Sequence, residues 1–86
     1  MNGYGIPDPM TYKWYLRDLG YLLREEAFEA KAKRDAARGT ADESYAAGFL
    51  MGYFQVITWM QNEAWTFGIP FEDLCLDGID PDQDLL

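Results

Sequence analysis

The stretch Tyr45–Phe67, YAAGFLMGYFQVITWMQNEAWTF, decides the fold, and Glu63 is its only charged residue. Such a run suits a buried helix. At about 100° per residue, Tyr45, Phe49, Tyr53, Val56, Ile57, Met60 and Phe67, with Ala46, Leu50, Phe54 and Trp65, sweep roughly two thirds of the circumference. Gln55, Thr58, Asn62 and Thr66 are left for water. One neighbouring helix cannot cover that much apolar surface. Gly48 and Gly52, four apart, offer room for a close backbone approach, with Gly20 on the receiving side. Close packing would offset the roughly 1 kcal/mol that each glycine costs in a helix interior.

Boundary signals bracket this helix. Thr40 to Glu43 fit a capping box, with Thr40 as N-cap and Glu43 reaching back, and Gly68 closes the far end, predicting a helix over 41–67. Upstream, Asp8 as N-cap and Pro9 at the first helical position open a helix over 9–38, which Gly39 ends and Arg34 and Arg38 favour electrostatically. Met1 to Pro7 read as an irregular lead-in. Downstream, Pro70, Phe71, Glu72 and Asp73 predict a short third helix over 70–76, broken by Gly78, with an acidic tail from about 77. No alternating strand pattern or flanked hairpin turn occurs. The expectation is a single all-α domain over 1–86, an antiparallel hairpin plus a short C-terminal helix.

The first helix carries two stripes. Tyr12, Leu16, Leu19, Leu23, Ala27 and Ala30 form an ordinary core face. Met10, Trp14, Tyr21 and Phe28 form a second, aromatic one, read first as another packing surface and second as an exposed partner strip. At 86 residues roughly 60 to 70% of the unfolded chain's surface can be buried, so a lone hairpin leaves greasy surface over. The expectation is therefore a twofold homodimer with a four-helix core. The alternative is a monomer in which residues 69–86 fold back over the hairpin. Trp14, Tyr21, Phe28, Phe54 and Trp65 are the apolar residues expected to serve self-association or a partner.

Charge is strongly segregated. Residues 1–38 hold all seven bases and six acids, whereas residues 39–86 hold nine acids and no base, making a net charge of −8 overall. Lys13, Arg17, Arg24, Lys31 and Arg38 share one sector of the first helix, beside the aromatic stripe. The bland reading lays the acidic tail along that sector, with Ile79, Leu85 or Leu86 seated on the aromatic stripe. The functional reading gives the acids to a basic partner, where complementary charge raises association rate and selectivity. Direct nucleic-acid binding by the basic sector is disfavoured, because five cations would act against the net charge.

Catalytic equipment is sparse. With no His and one Cys, the usual general base, the commonest metal ligand and an intramolecular disulfide are all missing. Asp80, Asp82 and Asp84 alternate like the start of a calcium loop but lack its glycine and closing glutamate. Glu25, Glu26 and Glu29 lack the histidine of a carboxylate-bridged metal bundle. Cys75 sits among acidic neighbours, the reverse of the electropositive setting of a reactive thiolate, and reads as a small buried hydrophobe. Ser44 has no activating base. No apolar run spans a membrane and no signal sequence is evident, so the expectation is a cytoplasmic, non-enzymatic protein without metal or cofactor.

The segments VITWMQNEAWTFGIP (Val56–Pro70) and GIPFEDLCLDGIDPDQDLL (Gly68–Leu86) resemble small uncharacterised helical proteins of proteobacteria and their mobile elements. That resemblance covers mainly the C-terminal half and carries over no activity and no site residues. In size, acidity and lack of catalytic groups the chain is also similar to anti-CRISPR inhibitors, some of which present carboxylates in place of phosphates. This likeness implies an inhibitor that occupies a basic nucleic-acid-handling surface through Glu72, Asp73, Asp77, Asp80, Asp82 and Asp84. The competing expectations are a structural or regulatory homodimer whose tail closes on its own basic face, and a small-ligand binder using the aromatics between the helices.

Overall fold

A computed structural model describes residues 7–86, and among these there is no strand. Helix α1 spans Pro9–Ala36, α2 spans Glu43–Phe67, a 3₁₀ turn spans Phe71–Leu74 and a one-turn helix α3 spans Pro81–Asp84. The lead-in falls outside the described residues except for Pro7. The α1 start is as its residues dictate: the Asp8 carboxylate accepts the Met10 N–H at 2.7 Å, and Pro9 follows where no donor is needed. Gly39, with φ 78°, takes the left-handed turn out of the helix region, and Gly68, with φ 68°, caps α2.

The connection between the helices corrects two boundaries. Helix α1 stops at Ala36 rather than Arg38, and α2 starts at Glu43 rather than Ala41. No Thr40–Glu43 capping box forms. Instead the Thr40 hydroxyl donates to the Ala37 carbonyl at 2.6 Å and accepts the Asp42 N–H at 3.2 Å, so it organises the turn, and Asp42 becomes the N-cap residue. A local side-chain to backbone bond has outcompeted the first helical turn.

Helix α2 returns along α1, bringing Phe49 near Ala30 and Phe67 near Leu16. Because α2 ends beside Leu16, the first turns of α1 overhang it. For that reason Tyr12 and Leu16, expected in the core, are exposed, whereas Ala27 and Ala30 are buried. The residues after Gly68 fold back over one face of the hairpin. Leu74, Leu76, Ile79 and Leu85 join Ala27, Ala30, Leu50, Ile57 and Ala64 in a single core, with Tyr53, Phe54, Met60 and Phe71 packed against it. The predicted third helix is a shorter 3₁₀ turn, and the acidic tail expected from about 77 is an ordered cover containing α3.

Gly20 makes this cover possible. It is buried, and a Cβ built there would lie 1.7 Å from the Leu74 carbonyl oxygen, so the 3₁₀ turn rests directly on the α1 backbone. Gly48 and Gly52 have open space above them instead. The close approach falls on the glycine of α1, not on the pair in α2.

Candidate functional site

The basic sector of α1 is where the cover is fastened, mostly to backbone rather than to carboxylates. Arg24 donates to the carbonyls of Cys75 (3.2 Å) and Asp77 (2.6 Å), Lys31 to that of Asp84 (2.7 Å), and Arg34 to that of Leu86 (3.1 Å). On the α2 side the Gln61 amide donates to the carbonyls of Leu76 (3.1 Å) and Ile79 (2.9 Å). These bonds satisfy carbonyls that an irregular segment would otherwise leave orphaned as it is drawn against the core. Lys13 stands 3.9 Å from the Asp73 carboxylate, and Arg38 pairs with Asp35 at 3.3 Å. Arg17 makes no such bond among the described residues. The apolar anchors Ile79 and Leu85 enter the interhelical core instead of resting on the aromatic stripe, because that core lies at the helix contact while the stripe faces away from α2.

Fastening through carbonyls leaves the acids unneutralised. Glu72, Asp77 and Asp82 are exposed and form no ion pair among the described residues. The other three predicted acids do structural work. Asp73 meets Lys13. Asp80 accepts the Asp82 and Gln83 N–H groups at 3.1 and 3.4 Å, and Asp84 accepts the Asp80 N–H at 2.8 Å, which closes α3 upon itself. Six carboxylates that look equivalent along the chain thus divide into three free groups and three structural ones.

Trp65 organises the free acids into a site. Its side chain is 82% exposed and stands between two grooves. One, of about 600 Å³, is lined by Ile69, Pro70 and Phe71 with Glu72 and Asp77 at its edge. The other is lined by Thr58, Gln61, Asn62, Asp80 and Asp82. The Thr58 hydroxyl, expected in water, is enclosed and has no hydrogen-bond partner among the described residues, so the second groove has a spare polar atom in its wall. An exposed indole flanked by carboxylates is equipped to hold a cation, the ring face attracting it and the oxygens pairing with it. The grooves exist because Gly68 reverses the chain and lays the cover beside the last turns of α2. Sequence reasoning missed Thr58, Gln61 and the Ile69–Phe71 lining, since only that reversal brings them beside Trp65.

The remaining predicted residues lie elsewhere. Trp14, Tyr21 and Phe28 are exposed along the outer side of α1, and no described element of this chain packs over that stripe. Phe54 is half-buried against the core. Cys75 is a half-buried free thiol with φ 56°, at the turn that ends the 3₁₀ segment. Among the described residues no cluster of three potential ligands could hold a metal ion, and no helix is long and apolar enough to cross a membrane. No family model matches the chain, and no curated protein or solved structure shows significant similarity to it.

Proposed function

We propose that this protein is a non-enzymatic interaction module whose Trp65 surface captures a basic partner, and that it acts as an inhibitor by occupying a surface the partner uses to hold nucleic acid. The observation that carries this reading is an almost fully exposed tryptophan standing between two grooves edged by unpaired carboxylates. An arginine or lysine received there would cover the uncovered indole face while its charge pairs with the carboxylates. An arginine laid on the indole would place its fork of donors toward Glu72 and Asp77 on one side or Asp82 on the other. The absence of bases from residues 39–86 removes local competitors for those carboxylates and steers a cationic surface toward this end of the molecule. With most of its own basic sector engaged by the cover, the chain presents little cationic surface to nucleic acid itself.

The test uses a defined probe, an arginine-rich peptide titrated by calorimetry at low salt, with an acidic peptide as control. Trp65→Ala and the double variant Glu72→Gln/Asp77→Asn are each expected to weaken binding about tenfold or more, and raising the salt to weaken it further. Asp80 and Asp84 are left intact, because neutralising them would unwind α3. Equal affinity for all variants, or binding indifferent to salt, would overturn the proposal. The inhibitory part predicts that the protein displaces nucleic acid from a basic binding domain, and that Trp65→Ala does not.

A further inference from the structure

The folded-back segment covers one face of the hairpin and leaves the other bare. That bare face lies on the side away from Trp65. Across it Leu23 of α1 meets Gly48, Gly52 and Val56 of α2 at a shallow groove, and Lys33 meets Tyr45 and Phe49 near the connecting turn. Helical phase places Tyr15 and Leu22 on the same side of α1, and Trp59 and Phe67 on the same side of α2. Tyr15, Leu22, Tyr45, Phe49, Trp59 and Phe67 are each between 47 and 75% exposed. At the area aromatic side chains bury, they offer on the order of 700 to 800 Å². That matches the roughly 800 Å² each partner gives to a stable interface and exceeds the roughly 300 to 600 Å² of a typical monomer's largest patch.

We infer that a second copy of this chain covers this face, with α2 packed antiparallel against α2 about a twofold axis beside Gln55 and Val56. Three features fit the face to itself. Gly48, Gly52 and Trp59 lie along one line of α2, so the small residues leave a trough that the large one can enter. An axis between positions 55 and 56 sets Trp59 of each copy over Gly52 of the other, filling the open space above that glycine. The same operation carries Glu63 to the partner's Gly48 end, where Lys33, which pairs with its own Glu29 at 3.3 Å, offers an opposite charge. The unpaired acids of the cover, Glu72, Asp77 and Asp82, lie at the Trp65 side, away from the contact. An anionic lipid surface lacks that match, since it would meet Glu26 and Glu63 with like charge. The second copy is independent of the Trp65 reading and leaves that site free in each protomer.

Sedimentation velocity from about 1 to 100 µM is expected to show a concentration-dependent species of twice the 9.9 kDa chain mass. Trp59→Glu is expected to raise the dissociation constant at least about 30-fold, as for a central interface residue, with helicity retained because the side chain is exposed. Gly52→Leu keeps the test clear of misfolding: it should hold or raise monomer stability while weakening the dimer. In a Cys75→Ser background, Gln55→Cys should be joined by a short bis-maleimide to its counterpart and Arg17→Cys, on the far side of α1, should not. A chain that stays at 9.9 kDa throughout, or a dimer that ignores both substitutions and links through Arg17→Cys, would overturn the inference.

Discussion

Replacing Gly20 by alanine isolates the contact on which the cover depends. In a helix with nothing nearby, this change stabilises by about 1 kcal/mol, because alanine loses less backbone freedom on folding. Here the new methyl would sit 1.7 Å from the Leu74 carbonyl oxygen and 2.9 Å from its carbon, and both are backbone atoms that cannot swing aside. Either α1 and the 3₁₀ turn separate or Leu74 leaves its place in the core. Overpacking in a core costs about 1 to 3 kcal/mol, and displacing one buried leucine forfeits about 1.5 to 3 kcal/mol. Net of the alanine gain, either outcome destabilises by up to about 2 kcal/mol, lowering the melting temperature by up to roughly 8 to 16 °C for a domain of this size. Urea unfolding followed by circular dichroism gives the free energy, and hydrogen exchange over residues 71–86 shows whether the cover lifts first. Gly48, with open space above it, is the control, and its alanine variant should be about 1 kcal/mol more stable. If Gly20→Ala stabilised the protein as Gly48→Ala does, the 3₁₀ turn could not be seated on α1, and the Trp65 grooves would lose their far wall.

Two further outcomes follow from the same contacts. Leu85 is completely buried although it lies next to the last residue of the sequence, so Leu85→Ala should cost at least about 2 kcal/mol and open the segment after Ile79 to limited proteolysis; a change within experimental error would mean that this segment does not pack on the core. Asp35 is held below its ordinary value of 3.8, chiefly by the hydrogen bond from Arg34, which outweighs the opposing desolvation, with the Arg34, Arg38 and Lys31 charges adding smaller contributions. A lowered value in the folded state means stability present above 3.8 and lost as the pH falls through the folded value. Asp35→Asn should therefore flatten the acid limb of the stability profile below about pH 4, and an NMR titration of the carboxyl carbon should show a midpoint below 3.8; a midpoint at or above that value would refute the Arg34 pairing.

Several features could be read without coordinates because each depends on neighbours in the chain. Asp8 and Pro9 start α1 through one local hydrogen bond and one missing donor, and Gly68 ends α2 through a backbone conformation that costs glycine little. The apolar sweep of α2 and the single basic sector of α1 follow from the helical repeat alone. The capping box failed because Thr40 found a nearer carbonyl, that of Ala37, a competition between two local bonds of similar strength that residue types do not settle.

Composition and periodicity by themselves determined that this is an all-α protein with more apolar surface than one hairpin hides, and with its acids kept apart from its bases. Only the tertiary structure decided which glycine receives a neighbour, which three carboxylates stay free and which face of the hairpin stays bare. Helical phase says how far around a helix a side chain lies but not what stands opposite it. Gly20, Gly48 and Gly52 are alike as residues, and the path of the chain after Gly68 is what sets a carbonyl over the first and leaves open space above the other two.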